Sequence, residues 1–180
     1  KKKFNKKKVK IINKIENQKN YFKKTDITIA AIPGVAGLLP TLELIKISKK
    51  VLVANKESVI CGWNLIKKIS FKTKTKIIPI DSEHFSIFSL LQNYKTSQIE
   101  RIYITASGGP FLNYTQSNLK NITINSALKH PNWIMGKKIS IDSSTMMNKV
   151  FEVIEAKNIF DISYDKISIL THPKSYVHTI

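Results

Sequence analysis

The sequence predicts an α/β protein built on mostly parallel sheets. Three features indicate this fold class: β-branched, apolar segments of five to seven residues, helical segments between them, and turn residues at the junctions. A strand, a helix and a second strand at this spacing form a βαβ unit, which pairs its strands in parallel. Apolar residues make up 42% of the 180-residue chain, so a wholly disordered protein is excluded.

Three strands and two helices alternate in the first half of the chain. We predict strands at 26–32, 50–55 and 76–80, a helix from Leu38 to Lys50 and a second helix from about Ser58 to Lys68. The strands are rich in β-branched and apolar residues, which favour a buried position in a parallel sheet. Because ligands of such sheets bind at the carboxyl ends of the strands, the residues directly after each strand are candidate site residues.

The second half continues the alternation with longer polar stretches. A strand at 101–106 runs into the sequence SGGPF, and a loop covers 130–136. KISIDSS then leads into a helix at 145–160, and the last clear strand is 166–170. We place the domain boundary near Ile80, where the first set of βαβ-type strands ends.

The charge of the chain limits the classes of partner. There are 30 basic and 12 acidic residues, for a net charge of +18, but only Arg101 is an arginine. Proteins that read nucleic-acid bases depend on arginine, so the composition argues against a nucleic-acid partner. A basic surface also attracts phosphorylated small molecules. A non-catalytic basic module that binds nucleic acid or an acidic partner remains the alternative to an enzyme.

Other protein classes are excluded by simple counts. No apolar run approaches the roughly 18 residues that cross a membrane, so we expect no membrane partner. Cys61 is the only cysteine, which excludes a disulfide scaffold, and we expect it in the core. The chain starts without a secretory signal, which predicts a cytoplasmic protein. The lysine-rich first 25 residues have an apolar spacing that predicts a solvated helix.

Asp81 and Glu83 follow the third predicted strand. If that strand continues, both side chains point to the same side of the sheet. Two neighbouring carboxylates repel each other unless a cation lies between them, and hard oxygen ligands suit Mg²⁺ or Mn²⁺. The alternative is an exposed acidic turn.

The segment from Asp142 to Glu152 is the second candidate. Ser143 or Ser144 is placed to cap the following helix, whose N-terminus would then bind an anion. Asn148, Lys149 and Glu152 are three or four residues apart and can share one flank of that helix. Lys149 could contact a phosphate or hydroxyl while Glu152 holds a metal. The alternative is a capped surface helix with an ordinary ion pair.

Three further signals are weaker. Ser107 and its two following glycines could turn backbone amides toward an anion, or form an ordinary turn. Trp133 could be part of a lid that excludes water, with Gly136 as a hinge, or a packed surface residue. Lys56 comes directly after the second strand, at the expected ligand crevice, or simply starts a helix. We assign structural roles to His172 and His178.

Eight segments fall in one order along the chain: AIPGVAGLLPT, ANKES, DSEH, ASGGPF, HPNWIMG, KISIDSSTMMNK, EVIEA and THPKSYVH. In this order and spacing, residues 26–180 resemble the 1-deoxy-D-xylulose 5-phosphate reductoisomerase family. The resemblance implies the later half of a Rossmann-like parallel-sheet NADPH domain followed by an α/β catalytic domain. It also implies a homodimer.

The resemblance further implies a two-part reaction of non-mevalonate isoprenoid biosynthesis. In the family a metal chelates the carbonyl and hydroxyl oxygens of 1-deoxy-D-xylulose 5-phosphate, a sugar phosphate, and the carbon skeleton rearranges. NADPH then reduces the resulting aldehyde to 2-C-methyl-D-erythritol 4-phosphate. The implied cofactors are NADPH and Mn²⁺ or Mg²⁺, with Co²⁺ as an alternative metal.

Residue roles are implied in the same way. The family's metal ligands fall on Asp81, Glu83 and Glu152. Its catalytic groups fall on Lys56, Glu83 and Lys149. Its cofactor contacts fall on Asn55, Glu57 and Gly136. Its substrate contacts fall on Lys56, Ser82, Glu83, Ser107, His130, Trp133, Ser143, Asn148, Lys149 and Glu152, and of these Ser107, Ser143 and Asn148 match the positions that hold the phosphate.

The chain is expected to be a fragment. It has no initiator Met, and no glycine-rich pyrophosphate loop precedes the first strand. We therefore expect residues 1–80 to form a partial NADPH-binding domain, and residues 81–180 to form a catalytic domain that is truncated at its end. This predicts that the fragment alone is inactive. An inactive remnant of the enzyme is a further alternative.

Overall fold

The structure, a computed structural model, describes residues 24–130 and 133–180. The lysine-rich helix is predicted for the first 25 residues, of which 1–23 lie outside the described residues, and Thr25 already belongs to the first strand. The described part is a mixed α/β fold with two separate parallel sheets, which confirms the predicted fold class. No helix in this part has the length and apolar character that a bilayer span requires.

The first sheet contains three parallel strands in the order β1-β2-β3. These strands are β1 (Thr25–Ala30), β2 (Ser48–Val53) and β3 (Lys76–Pro79). Parallel strands need a crossover connection, and two helices provide it here. Helix α1 (Leu38–Ile47) connects β1 to β2, and helix α2 (Lys56–Thr73) connects β2 to β3. The apolar side chains between sheet and helices are buried and form one core, which includes Ile45, Val51, Val59 and Ile66.

The second sheet pairs β4 (Ile102–Ala106) with β5 (Ile167–Thr171) in parallel. Its core packs against α3 (Ser82–Leu90) and α7 (Met147–Phe160), through Ile87, Ile104, Ala156 and their neighbours. The end of the chain returns to β4, where Thr179 forms an antiparallel bridge with Ile104. The carboxyl end of β4 therefore lies beside the last residues of the chain.

The polar stretch after β4, between the two strands of the second sheet, is helical in places. Short helices α4 (Gln116–Leu119) and α5 (Ile124–Ala127) each begin at a threonine whose hydroxyl accepts a backbone N–H. The longer α6 (Lys137–Ser144) follows the loop around Trp133 and leads directly to α7. The sequence KISIDSS is therefore a helix of its own and not only a lead-in.

Three local expectations were wrong. The first helix ends at Ile47, not Lys50, because Ser48 turns to an extended conformation and joins β2 beside β1. The second helix begins at Lys56 and continues to Thr73, where Lys74 takes a left-handed conformation and closes it. Cys61 lies exposed on α2 and is not a core residue.

Candidate functional site

A cavity of about 540 Å³ opens between the two sheets. Its walls come from the ends of strands and from the α6–α7 pair, so residues far apart in sequence meet there. Ala54 follows β2, Asp81 follows β3 and Ser107 follows β4, as expected for a ligand site at the carboxyl ends of parallel strands. Eleven of the predicted substrate and metal residues line this cavity: Lys56, Asp81, Ser82, Glu83, Ser107, His130, Trp133, Ser143, Asn148, Lys149 and Glu152.

Asp81 lies at the start of α3 and not within a strand. Strand β3 ends at Pro79, so the argument that a continuing strand aims Asp81 and Glu83 to one side was wrong. Asp81 instead caps α3: its Oδ1 accepts the backbone N–H of His84 at 3.0 Å and the His84 ring Nδ1 at 2.6 Å. Burial raises the pKa of Asp81, but the hydrogen bonds from His84 outweigh it and hold the pKa at about 2.

Glu83 and Glu152 approach Asp81 from two different helices. Glu83 lies in the first turn of α3, and Glu152 lies on the buried face of α7 with only 2% of its surface exposed. Ligand oxygens of Asp81, Glu83 and Glu152 all lie within 4.8 Å of one another. Three carboxylates at this distance are a hard-oxygen donor set, which suits Mg²⁺ or Mn²⁺.

Two lysines neutralise part of this acidic group. Lys149 Nζ lies 2.5 Å from Glu152 Oε2 and 3.0 Å from Glu83 Oε1. Lys56 Nζ donates to Asn148 Oδ1 at 2.8 Å and to Glu152 Oε1 at 3.2 Å, and lies 3.8 Å from Asp81 Oδ2. Both ammonium groups therefore face the same carboxylates that could hold the ion.

Burial and the neighbouring charges both shift the pKa values of these acid–base groups. Burial lowers the pKa of Lys56, but Glu152 and Asp81 outweigh it and raise that pKa. Burial raises the pKa of Glu83, but Lys149 outweighs it and the pKa is lowered. The pKa of Glu152 is raised, first by burial and then by the charge of Glu83. A cation beside Glu152 would favour its ionised form.

The serine-glycine turn after β4 also lines the cavity. Ser107 Oγ accepts the backbone N–H of Gly109 at 3.3 Å and lies 3.1 Å from His130 Nε2. Gly109 has a φ of +69°, and a Cβ there would lie 2.6 Å from the carbonyl oxygen of Ser143. Only glycine fits this left-handed backbone conformation at such a close approach to α6.

Ser143 and Ser144 do not cap α7, contrary to the prediction. They form the last turn of α6, and Met146, in a left-handed conformation with a φ of 60°, separates the two helices. Because the chain turns at Met146, α7 begins at Met147 with no side-chain cap. Ser143 nevertheless lines the cavity. Asn148 and Lys149 share one flank of α7 with Glu152, and Asn148 Nδ2 donates to Glu152 Oε1 at 2.6 Å.

The loop before α6 contributes Trp133 to the cavity wall, with about half of its surface exposed. The backbone N–H of Trp133 donates to His130 Nδ1 at 3.1 Å. Since Nδ1 accepts, a neutral His130 carries its proton on Nε2 and donates it to Ser107 Oγ. His130 therefore connects the Trp133 loop to the serine-glycine turn.

Asn55, Glu57 and Gly136, the predicted cofactor residues, do not line this cavity. Asn55 is buried and caps α2 by accepting the Ser58 N–H, while its Nδ2 donates to the carbonyls of Ile32 and Gly34. Glu57 forms an ion pair with Lys138 at 3.0 Å. Gly136 is the exposed residue before α6.

Three residues near the carboxylates were not predicted from the sequence to belong to the site. His84 is fully buried; burial lowers its pKa, but Asp81 and Glu155 outweigh it and raise the pKa to about 9. Burial raises the pKa of Glu155 to about 8. His178, expected to be structural, lines the cavity with Nδ1 3.9 Å from Glu83 Oε1. The i,i+3 spacings from Asp81 to His84 and from Glu152 to Glu155 were the available signal.

Comparison with known families gives two matches. The family model of the 1-deoxy-D-xylulose 5-phosphate reductoisomerase C-terminal domain matches residues 77–160. The model of 1-deoxy-D-xylulose 5-phosphate reductoisomerase matches residues 1–62.

Curated relatives carry the same name. The 1-deoxy-D-xylulose 5-phosphate reductoisomerase of Pelagibacter ubique (strain HTCC1062) is 60% identical over 169 residues, which are 94% of this chain and 43% of the relative. That of Wolbachia sp. subsp. Drosophila simulans (strain wRi) is 54% identical over 156 residues, 86% of this chain and 40% of the relative. The chain thus spans about two fifths of the length of these relatives.

Solved structures agree with the sequence comparisons. The 1-deoxy-D-xylulose 5-phosphate reductoisomerase from Zymomonas mobilis in complex with NADPH is similar at a TM-score of 0.79 and 42% identity, covering 87% of this chain and 40% of that one. A DOX-P reductoisomerase in complex with NADPH, fosmidomycin and magnesium gives a TM-score of 0.78 and 41% identity, covering 86% and 40%. These matches confirm the resemblance found in the sequence, and the chain belongs to the 1-deoxy-D-xylulose 5-phosphate reductoisomerase family.

Proposed function

We propose that the protein catalyses the NADPH- and divalent-metal-dependent isomerisation and reduction of 1-deoxy-D-xylulose 5-phosphate to 2-C-methyl-D-erythritol 4-phosphate. The observation that carries this proposal is the meeting of Asp81, Glu83 and Glu152 within 4.8 Å beside one cavity. Two lysines and a serine-glycine turn border the same cavity. The relatives named above are reductoisomerases, and one of the solved structures contains both NADPH and magnesium.

Asp81, Glu83 and Glu152 would hold the divalent ion. The donor set fits such an ion, because all three ligands are carboxylates. Burial raises the pKa of Glu152, and a bound cation would lower that pKa again by favouring the ionised form. Bound there, the ion would polarise carbonyl and hydroxyl oxygens of the substrate as a Lewis acid. Mg²⁺ and Mn²⁺ both prefer these ligands.

Lys56 and Lys149 would act on the reacting end of the substrate. Their side chains are only 14% and 7% exposed, so the ammonium groups face the cavity rather than bulk water. The raised pKa of Lys56 keeps it protonated at neutral pH, as a donor to substrate oxygens. Donors fixed in a water-poor cavity stabilise developing negative charge more than the same donors in water.

The phosphate would bind at Ser107, Ser143 and Asn148. Ser107 Oγ accepts from Gly109 and from His130, so its own proton is available for donation to a phosphate oxygen. His130 would hold that hydroxyl in place. Trp133 would cover the bound substrate as part of a lid and exclude water.

The cofactor is proposed to bind toward the first sheet, at Asn55, Glu57 and Gly136, where NADPH supplies the hydride. We propose that residues 1–80 are part of an NADPH-binding domain and that residues 81–180 are the metal- and substrate-binding part of a catalytic domain. The reductoisomerase family further supports a homodimer and a cytoplasmic location, which sedimentation and fractionation would test.

NADPH oxidation tests the proposal. We expect the protein expressed from its complete coding sequence to oxidise NADPH with 1-deoxy-D-xylulose 5-phosphate only when Mn²⁺ or Mg²⁺ is present. Asp81→Ala and Glu152→Ala should each lower kcat by at least about 10²-fold, because each removes a ligand of the ion. Glu43→Ala, on α1 and away from the cavity lining, is the matched control. The 180-residue chain alone should not turn over.

Turnover that needs no divalent ion, or that survives both substitutions, would contradict the proposal. Salt-sensitive RNA binding without turnover, unchanged by Asp81→Ala, would support a basic binding module instead.

A further inference from the structure

His84 contacts two of the three proposed metal-binding residues at once. Its ring Nδ1 lies 2.6 Å from Asp81 Oδ1, and its ring Nε2 lies 2.9 Å from the backbone oxygen of Glu152. The side chain is buried and is not part of the cavity lining, so it does not contact a substrate there. It lies on α3 and reaches across to α7, which makes it a direct connection between the two helices.

The hydrogen bonds define the proton positions on the ring. A backbone carbonyl can only accept, so Nε2 carries a proton and donates to Glu152. Asp81 Oδ1 also receives the backbone N–H of His84 at 3.0 Å. Because Oδ1 is occupied by these two contacts, Oδ2 is the oxygen that faces Lys56 and the cavity.

A second ion between Asp81, His84 and Glu155 does not explain this contact, although ligand atoms of these residues also lie within 4.8 Å of one another. Two ligands bound to one ion at about 2.1 Å and at right angles lie roughly 3 Å apart. The separation of 2.6 Å between Nδ1 and Oδ1 is shorter and is a charge-assisted hydrogen bond.

We propose that His84 is a positioning residue for the metal site: it sets the orientation of the Asp81 carboxylate and fixes the turn of α7 that carries Glu152. This inference rests on the proposed function, since it assumes that the three carboxylates hold an ion. Ligating carboxylates are held by further hydrogen bonds in metal sites, and loss of such a partner weakens metal binding by about 10–100-fold.

Two amide variants separate the two hydrogen bonds of the ring. The amide nitrogen of His84→Asn can take the place of Nδ1 and donate to Asp81, whereas that of His84→Gln can take the place of Nε2 and donate to Glu152. We expect His84→Gln to raise the Kd for Mn²⁺, measured by electron paramagnetic resonance, about 10–100-fold. His84→Asn should raise it less, although it fills less of the buried space, because the bond it keeps is to a carboxylate that would hold the ion, whereas the bond it loses is to the backbone oxygen of Glu152.

A role in packing alone predicts the opposite order, because the larger glutamine replaces more of the ring volume. A Kd for His84→Gln within about twofold of the unsubstituted protein, or a weaker site in His84→Asn than in His84→Gln, would overturn the inference. Ile87→Val, also buried on α3, is the control for a small packing change. If the unsubstituted protein binds no Mn²⁺, the proposed function itself has failed.

A measurement on the unsubstituted protein covers the case in which the variants do not fold. With ¹⁵N-labelled histidine, addition of Mg²⁺ should shift the Nδ1–H resonance of His84, since Asp81 would share its charge with the ion. An unchanged resonance at a Mg²⁺ concentration that saturates the site would overturn the inference.

Discussion

His130 shows how one side chain can couple two parts of the site. Its Nδ1 accepts the backbone N–H of Trp133, and its Nε2 lies 3.1 Å from Ser107 Oγ. Burial lowers the pKa of His130 below its usual 6.5, so the ring is neutral at pH 7 and Nδ1 stays an acceptor. The sequence identifies His130 and Trp133 as a pair in one loop, but it could not predict this bond, which depends on the ring orientation.

We predict that the environment of Trp133 changes with pH through His130. Because burial lowers the pKa of His130, the folded protein favours its neutral form, in which Nδ1 can accept the Trp133 N–H. This hydrogen bond is therefore present above pH 6.5 and is lost as the pH falls through the lowered pKa of His130 in the folded protein. In a Trp63→Phe variant, where Trp133 is the only tryptophan, emission should titrate with a midpoint below 6.5. His130→Asn should remove the titration; a midpoint above 6.5 or an unchanged titration in that variant would contradict the prediction.

At the scale of elements, strand positions follow from local sequence and helix boundaries do not. All five predicted strands lie within two residues of their observed bounds, because runs of β-branched residues between turn residues specify strands locally. The start of α3 at Ser82 and the separate helix α6 were missed. Their serines and aspartates favour caps and turns by local rules, and packing against α7 decides their conformation.

The turn after β4 gives a prediction about stability. Gly109 and Gly34 both have positive φ, and alanine in such sparsely populated backbone conformations costs about 1–3 kcal/mol at either residue. At Gly109 the new Cβ would also lie 2.6 Å from the Ser143 oxygen, whereas Gly34 has nothing within 4 Å. We therefore expect Gly109→Ala to lower the free energy of unfolding more than Gly34→Ala, measured in urea. Equal losses would show that the close approach to α6 does not matter.

At the scale of the whole molecule, the site depends on contacts between distant segments. Asp81 and Glu83 lie about 70 residues before Glu152, and only the packing of α3 against α7 brings them together. Spacing arguments found each half of the acidic group separately, and the family resemblance linked them. The resemblance includes His84 in the segment DSEH but assigned it no role, because that role depends on a ring buried between the two helices.

Mn²⁺ binding to the complete protein tests the central claim most directly, because it needs neither substrate nor NADPH. Electron paramagnetic resonance should detect one tightly bound ion per chain, and Asp81→Asn, Glu83→Gln and Glu152→Gln should each weaken it by at least about tenfold. If the Glu152→Gln variant binds Mn²⁺ with the same Kd as the unsubstituted protein, the account is contradicted, since the α7 carboxylate would then not belong to the metal site.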